Sequence, residues 1–476
     1  MRRIFLIITL LSLLLTGIEN CFAQPSTLYF LPGIPQTREL NPARPGAEKG
    51  TYFSMPFLSG VDFSFNTNNW SYNDLIHKGS GALADSLVWD YKNFLSSLGR
   101  NNFLNQSASV TILDFGWKRQ ADFVGFSWSE HEFVDIYFTK ELANMLINGN
   151  QQYLGNTFRS GYLGGGAQHY RQFAITYARE LPSGINVGLT GKLLFGLSAI
   201  KTSGLNAVAG MPASGDQIDL AAAGKAYISA PVDVQFINND GYRVIGRNYF
   251  SLGNYLNNFG NPGFSLDFGV SGKVNKKLEV SASIIDLGFI YWHQDISTFT
   301  EEGHYLFRGI FLDAPSNKPP TTNNLNAIYN SLRDSIRGAF TPAKGTTSFT
   351  SVLPVKIYLA GEYEVDQNIK LCGLARIRIF NNMVHTSLTA SANAVLSEKL
   401  NVSASYSLME STFDNLGLAA TYRIGNVQLY TASDNVLSFY RPPGARNLNL
   451  RIGINFLFPD DPNFVRGMYI GKVRPR

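Results

Sequence analysis

From Ser351 onward the chain alternates apolar and polar residues in stretches of strand length. The last stretch sets Leu448, Leu450, Ile452, Ile454, Phe456 and Phe458 on one parity and Asn449, Arg451, Gly453 and Asn455 on the other. Successive side chains of a strand point to opposite faces, so this stretch has one oily face and one polar, charged face. The pattern recurs upstream. Val355, Ile357, Leu359, Tyr363 and Val365 oppose Lys356, Glu362 and Glu364. The turn Asp366-Gln367-Asn368 then leads into Ile369, Leu371, Ala375, Ile377 and Ile379, which oppose Lys370, Arg376 and Arg378. Further strands are expected near 386–396, 400–410, 415–424 (ending in Arg423), 427–434 and 446–458. Before residue 350 the alternation is carried by His169 to Arg179, Ile185 to Leu197, Phe264 to Ser271 and Leu278 to Ile284. Earlier candidates lie near 50–66, 105–118, 121–138 and 218–236.

Counted this way the chain holds about 14 strands, and single-chain bacterial barrels use an even number. Short turns at 181–184, 275–277, 366–368, 397–399 and 425–426 alternate with longer connections. The fold class this predicts is all-β: a transmembrane antiparallel β-barrel, oily outside and wet inside, with short turns in the periplasm. A large secreted β-sandwich also alternates. The barrel is favoured because the strands approach the 9–11 residues a tilted span needs. Its inner face also clusters charge, Arg376 with Arg378 and Glu362 with Glu364, which a sandwich core does not bury unpaired. Aromatics gather near strand ends at Tyr291-Trp292, Phe439-Tyr440 and Phe456/Phe458. The regions 200–262 and 293–350 exceed ordinary loop lengths several-fold and are expected as long outer loops. Helices are expected in 81–98 and 323–337, where apolar residues recur at three- and four-residue spacing, and in Lys140 to Asn148.

Composition fits that picture. The chain of 476 residues has 44 glycines, 13% aromatic and only 16% charged residues. A mean hydropathy of −0.05 is too polar for a helical membrane protein and suits a barrel in which every second strand residue meets lipid. Arg2 and Arg3 precede the apolar run Ile4 to Thr16, and Cys21-Phe22-Ala23 offers a cleavage point, so residues 1–23 read as a secretory signal peptide. Cleavage removes Cys21 and leaves Cys372 alone, so no internal disulfide is expected. The remaining formal charge, lowered from +5 to +4 by losing Arg2, Arg3 and Glu19, implies no particular partner, and no basic run of the kind that tracks nucleic acid occurs. Residues 24–48 then form an N-terminal plug segment, 49–458 the barrel, and 459–476 a periplasmic tail carrying Arg466, Lys472, Arg474 and Arg476.

Leu31-Pro32-Gly33-Ile34-Pro35-Gln36 followed by Leu40-Asn41-Pro42-Ala43 resembles the start of an uncharacterised family of outer-membrane barrels from bacteria that possess type IX secretion. Phe57-Leu58-Ser59-Gly60-Val61, Tyr72-Asn73-Asp74-Leu75-Ile76, His169-Tyr170-Arg171 and Ile285-Asp286-Leu287-Gly288-Phe289-Ile290 match it in the same order. Asn41-Pro42-Ala43 is also similar to the N-terminal signature of long-chain fatty-acid transporter barrels and of the type IX secretion shuttle barrel. That resemblance implies 14 strands and an N-terminal plug. In physical terms, Pro42 holds Asn41 extended, and an Asn side chain satisfies nearby backbone groups in a turn.

No catalytic constellation stands out, and neither an enzyme, a cofactor nor a metal is expected. Glu130-His131-Glu132 lies on a strand, so its carboxylates face away from the imidazole. His293, Asp295, Glu301, Glu302 and His304 are read as solvated loop residues, and glycine-rich 160–166 lacks the Lys-Ser/Thr of a phosphate loop. Three readings remain. In the first, a plugged barrel in outer-membrane lipid passively passes small hydrophobic or amphipathic solutes. There Lys356, Glu362, Glu364, Arg376, Arg378, Arg423 and Arg451 face the lumen, hold the plug or line the path. In the second, a non-transporting scaffold or secretion-accessory barrel binds a protein partner through its outer loops or tail. The third is a soluble surface protein.

Overall fold

The computed structural model describes residues 26–47, 49–81, 84–214, 217–237, 241–246, 251–307, 330, 339, 342–380, 383–409 and 412–460. The expected signal peptide, nearly all of the tail and most of the expected helix 323–337 lie outside them.

Fourteen antiparallel strands close into a barrel. They are β1 (Gly50–Ser54 continued by Val61–Thr67), β2 (Asn101–Arg119), β3 (Asp122–Thr139), β4 (Gly164–Glu180) and β5 (Ile185–Met211). Next come β6 (Ile218–Ser229 continued by Asn261–Lys273), β7 (Leu278–Trp292 continued by Ile296–Phe307) and β8 (Ala343–Gly345, Phe349–Val352 and Val355–Asp366). The rest are β9 (Ile369–Phe380), β10 (Met383–Val395), β11 (Leu400–Met409), β12 (Thr412–Ile424), β13 (Val427–Ser433) and β14 (Asn447–Pro459). Closure is direct. β14 pairs with β1 (Phe53 opposite Phe456, Phe63 opposite Leu450), and β1 pairs with β2. No strand of the closed part is left as an edge, the condition for placing backbone in hydrocarbon.

Parity follows the alternation. Leu450, Ile452 and Phe458 of β14 are exposed on the outside while Asn449, Arg451 and Asn455 are buried inside. Leu371 and Ile379 of β9 face out and Arg376 and Arg378 face in. Ile175, Leu193, Phe264, Leu287, Leu359 and Leu418 extend the same outward apolar surface around the barrel. The oily parity points outward, as a lipid-facing wall requires and a sandwich core forbids.

The structure corrects the two long loops. Within 200–262, β5 runs on to Met211 and pairs with the first part of β6. Within 293–350, the second part of β7 pairs with β6 over Ile296 to Phe307. These strands extend one side of the wall beyond the rest, with a further strand, Asn156–Arg159, added beside the tip of β5. Runs such as Ala221-Ala222-Ala223-Gly224 hide this pairing from an apolar–polar reading, because small side chains give no contrast between faces.

The expected helix in 81–98 also shortens. Leu87–Trp89 pairs as a strand with Ile76–Lys78, and the helix is Tyr91–Ser97, begun where the Asp90 carboxylate caps the Asn93 amide at 2.9 Å. Lys140–Asn148 is helical, with Thr139 as its cap.

Candidate functional site

Residues 26–47 lie inside the barrel, in the half nearer the short turns, with two 3-10 turns at Thr27–Phe30 and Pro35–Glu39. Leu28, Tyr29, Phe30, Leu31 and Ile34 are buried against Ile285, Tyr358, Leu374 and Tyr430 of the wall. Polar ties surround this apolar staple. Arg38 Nη2 meets Asp114 Oδ1 on β2 at 2.5 Å, with side chains 2% and 0% exposed. The Tyr52 hydroxyl and Gln36 Nε2 donate to the same carboxylate at 3.0 Å each. Arg44 Nη2 reaches Glu362 Oε2 at 3.0 Å, and Arg451 Nη2 reaches Glu39 Oε2 at 2.6 Å.

The Asn41-Pro42-Ala43 triplet sits on the wall through its backbone. Asn41 accepts the Ala43 amide at 3.0 Å and donates to the Tyr29 hydroxyl at 2.9 Å and the Ala282 carbonyl at 3.3 Å. Gly188 of β5 and Gly269 of β6, paired across the strands, lie directly beneath. A Cβ on Gly188 would overlap the Pro42 carbonyl, and one on Gly269 the Asn41 carboxamide oxygen.

Beyond this lumenal segment the wall closes on itself. Arg378 of β9 donates to Asn105 Oδ1 of β2 at 3.3 Å and stacks 4.7 Å over Phe133 of β3. The Phe380 ring of β9 meets Phe133 at 5.1 Å, and His385 of β10 meets Phe103 of β2 at 5.7 Å. Ser351 of β8 donates to Gln168 of β4 at 2.8 Å. The contacts of β9 and β10 with β2 and β3 run between opposite sides of the barrel, and the β8–β4 contact spans four strands. Next to them lies a buried apolar cluster of Leu194, Ile290, Trp292, Phe349 and Leu353.

Between the segment and this cross-lumen layer lies a pocket of about 140 Å³. Charged groups (Arg38, Glu39, Asp62, Lys192, Asp286 and Arg451 among them) share its lining with Leu40, Ala108, Phe133, Ala174, Ile285 and Pro354. On one wall Lys192 Nζ binds Asp267 at 2.8 Å and Asp286 at 2.5 Å, and Lys356 Nζ binds the other Asp286 oxygen at 2.8 Å. Asp286 reaches this position through a positive φ of 63° at a register shift between β6 and β7. A second pocket of about 510 Å³ opens at the short-turn end, between the segment (Phe30, Pro32, Arg44) and the wall (Lys118, Glu362, Lys370).

Of the charges picked from sequence, Glu362 and Arg451 hold the segment, while Lys356 pairs with the wall's own Asp286. Arg376 is buried on the inward face, and Arg378 spans the lumen rather than touching the segment. Arg423 keeps inward parity, at the rim of the barrel. It lies beside the short turn and donates Nε to Gly425 at 2.9 Å. Glu364 is likewise at the short-turn end of β8, beside a register shift. Sequence reasoning missed Arg38, Glu39 and Arg44 on the segment, and Asp114, Lys192, Asp267 and Asp286 on the wall. Asp114, Lys192 and Asp267 have inward parity, whereas Asp286 shares the outward parity of Val280 and Ile284 and turns inward only through the bulge. The segment charges gave no signal, because nothing periodic marks a chain that fills a bore. Glu130 and Glu132 do face away from His131. Glu130 meets Arg171 at 2.8 Å on the outside, under the strand insertion holding helix Leu252–Leu256.

Residues 45–434 match the model of a family of unknown function, DUF5723. The chain belongs to that family. No curated protein sequence matches it. Among solved structures, the Pseudomonas putida toluene transporter TodX is similar at 8% identity and a TM-score of 0.39, over 94% of this chain and 97% of that one. A Pseudomonas aeruginosa FadL homologue matches at 8% identity and 0.36, over 92% and 99%. The translocator domain of the autotransporter NalP from Neisseria meningitidis matches at 8% and 0.30, over 86% and 89%. These low scores carry no weight for function; the fold rests on the strand pairings above.

The Glu39–Arg451 tie predicts a pH dependence. Burial alone would raise the Glu39 carboxyl, but Arg451 and Arg38 outweigh it and hold it below the usual carboxylate range. A depressed carboxyl contributes stability that is complete above its ordinary value of about 4.3 and lost as pH falls through its lowered one. Because 33% of the side chain is open to the pocket, water screens part of the effect. Single-channel recordings of the purified protein should show more frequent openings as pH falls from neutral to about 3.5. Openings that stay constant or become rarer would contradict this tie.

Proposed function

We propose that this family member is a plugged barrel of the bacterial outer membrane that passes small amphipathic solutes, with residues 26–47 as the plug. The observation that carries the reading is the pocket between plug and cross-lumen layer, where paired charges and apolar side chains share one lining. A purely hydrophobic solute gains little beside so many charged groups, whereas one with a polar end and an apolar end finds partners for both. The wide pocket at the short-turn end gives exit its own surface. Type IX secretion is one setting in which such a barrel would operate.

The test is uptake into liposomes by the whole protein and by a variant lacking 26–47. Slow uptake of amphipathic solutes by the former and faster uptake by the latter, with ohmic conductance still limited by the cross-lumen layer, are expected. If neither protein passes any solute or current, transport is wrong. The scaffold reading is favoured by one feature, the one-sided extension of β5, β6 and β7. A protein copurifying in stoichiometric amount, and lost when that extension is trimmed, would support it instead.

A further inference from the structure

Arg171 of β4 points away from the lumen. Its neighbours Tyr170 and Gln172 line the lumenal pocket, so its own side chain leaves the wall on the opposite face, with the exposed Ile175. It is nevertheless fully buried, because residues 251–260 lie over it. Nε donates to Glu130 at 2.8 Å, Nη1 to the Leu256 carbonyl at 2.7 Å and Nη2 to the Tyr255 carbonyl at 3.3 Å. The Tyr255 hydroxyl donates to Glu130 at 3.2 Å, and the Phe259 ring packs at 4.9 Å on Phe195 of β5. A flap of chain is thus clasped to the outer wall by one guanidinium.

Between the clasp and the short turns, β3 presents Val124, Phe126 and Trp128 beside Tyr177, Ile175 and Phe173 of β4. A second ion pair, Arg179 with Asp122 at 3.7 Å, closes this stretch at the short-turn end. From Asp122 to Glu130 the strand climbs eight residues. At ~3.3 Å per residue and a tilt of ~40° that is a height of about 20 Å, close to the apolar band of about 25 Å on a membrane barrel. Two ion pairs therefore bracket one membrane's depth of oily wall. On the flap, Leu252 and Leu256, one helical turn apart, and Phe259 are 67%, 41% and 47% exposed. Through Phe195 this apolar edge is continuous with the oily wall.

We propose that the flap is a membrane-surface anchor. Residues 251–259 lie in the headgroup layer of the leaflet away from the short turns, with Leu252, Leu256 and Phe259 dipped into the acyl edge. Lipid is the occupant because the flap's apolar edge continues a wall that already faces lipid, at the level where the charged bracket ends the hydrocarbon. The flap in turn keeps acyl chains off the guanidinium. Beyond this level the extensions of β5, β6 and β7 stand outside the bilayer. The inference rests on the barrel spanning a membrane and is independent of any solute.

The test reads the depth of nitroxide labels at single cysteines in the whole protein, reconstituted in phosphatidylethanolamine/phosphatidylglycerol vesicles. Cys372, which is 6% exposed and packs in the cluster that holds Leu28 to Leu31, is removed throughout by Cys372→Ala. Collisions with oxygen and with a water-soluble nickel chelate report depth, and heat-modifiable gel migration reports folding. The label of Ile175→Cys is expected in hydrocarbon, that of Asn206→Cys in water, and that of Leu252→Cys about 5–10 Å below the lipid phosphates. Adding Arg171→Gln should raise the label at 252 by about 5 Å or more, to the phosphate level. A label at 252 as open to the chelate as the one at 206 overturns the proposal, and so does one as deep as the label at 175. An unchanged depth with Arg171→Gln denies the clasp its part. A label at 175 that sits in water overturns the spanning barrel itself, and the anchor with it.

Discussion

Replacing Arg38 by Ala is expected to free the lumenal segment from the wall while the barrel stays folded. The Arg38–Asp114 pair is nearly inaccessible to water, and the carboxylate also takes bonds from Tyr52 and Gln36. Removing the guanidinium strands a buried negative charge, and such truncations cost about 3–5 kcal/mol. At about 1.4 kcal/mol per decade, the ratio of seated to unseated segment falls by about two to three and a half orders of magnitude. Strand pairing is untouched, because β2 keeps its hydrogen bonds to β1 and β3. Labelling of Cys372 by a small maleimide should therefore rise about a hundredfold. A rise of less than about threefold would show that the segment is held by its apolar staple alone.

Arg44→Ala should have a smaller effect, because the wall provides for that departure. Glu362 keeps Lys370 at 2.5 Å when Arg44 leaves. Arg451 similarly has Asp62 as its cross-strand neighbour when Glu39 leaves. Asp114 has no such reserve among the described ion pairs, which makes it the latch.

Substituting Val for Gly188 or Gly269 should displace the segment by a different force. Added side chains in a packed interior usually cost about 1–3 kcal/mol because neighbours shift. Here the neighbour at Gly188 is backbone, the Pro42 carbonyl and the Ala43 amide, which cannot rotate away. Only lifting the whole Asn41-Pro42-Ala43 turn relieves the overlap. That movement breaks the bonds from Asn41 to Tyr29 and Ala282 together. Either variant is expected to label at Cys372 and to conduct like the segment deletion, and the double variant more so. Gly191→Ala, on the outward face with open space around it, serves as the control and should change nothing. A double variant that stays closed and unlabelled would mean the triplet's seat does not hold the segment.

The barrel was legible because a lipid-facing wall writes its geometry into every second residue. Leu448 to Phe458 and Ile369 to Ile379 show one oily parity each, and both oily sets face outward in the structure. Legibility failed where the physics leaves no periodic mark. The extension of β5 and β6 is interrupted by Ala and Gly runs, whose two faces look alike in sequence. Arg423 has the parity of a lumen residue, but parity carries no height, and it lies beside a turn. Parity also cannot distinguish Arg378, which reaches across the bore, from Arg451, which holds the segment. The segment's own charges were unreadable for another reason. Their partners lie tens to hundreds of residues away, as Arg44 and Glu362 show, and only closure of the sheet brings them together.

On the plug reading proposed above, the bore is shut twice along its length, once by the segment 26–47 and once by the wall's own side chains meeting in the middle. Two doors in series behave as an airlock. If each stands ajar for a small fraction of the time, the fraction with both ajar is the product of two small numbers. For the transporter proposed above, the membrane around the barrel keeps its tightness while both doors are in place. Loosening one door alone costs it far less of that tightness than loosening both.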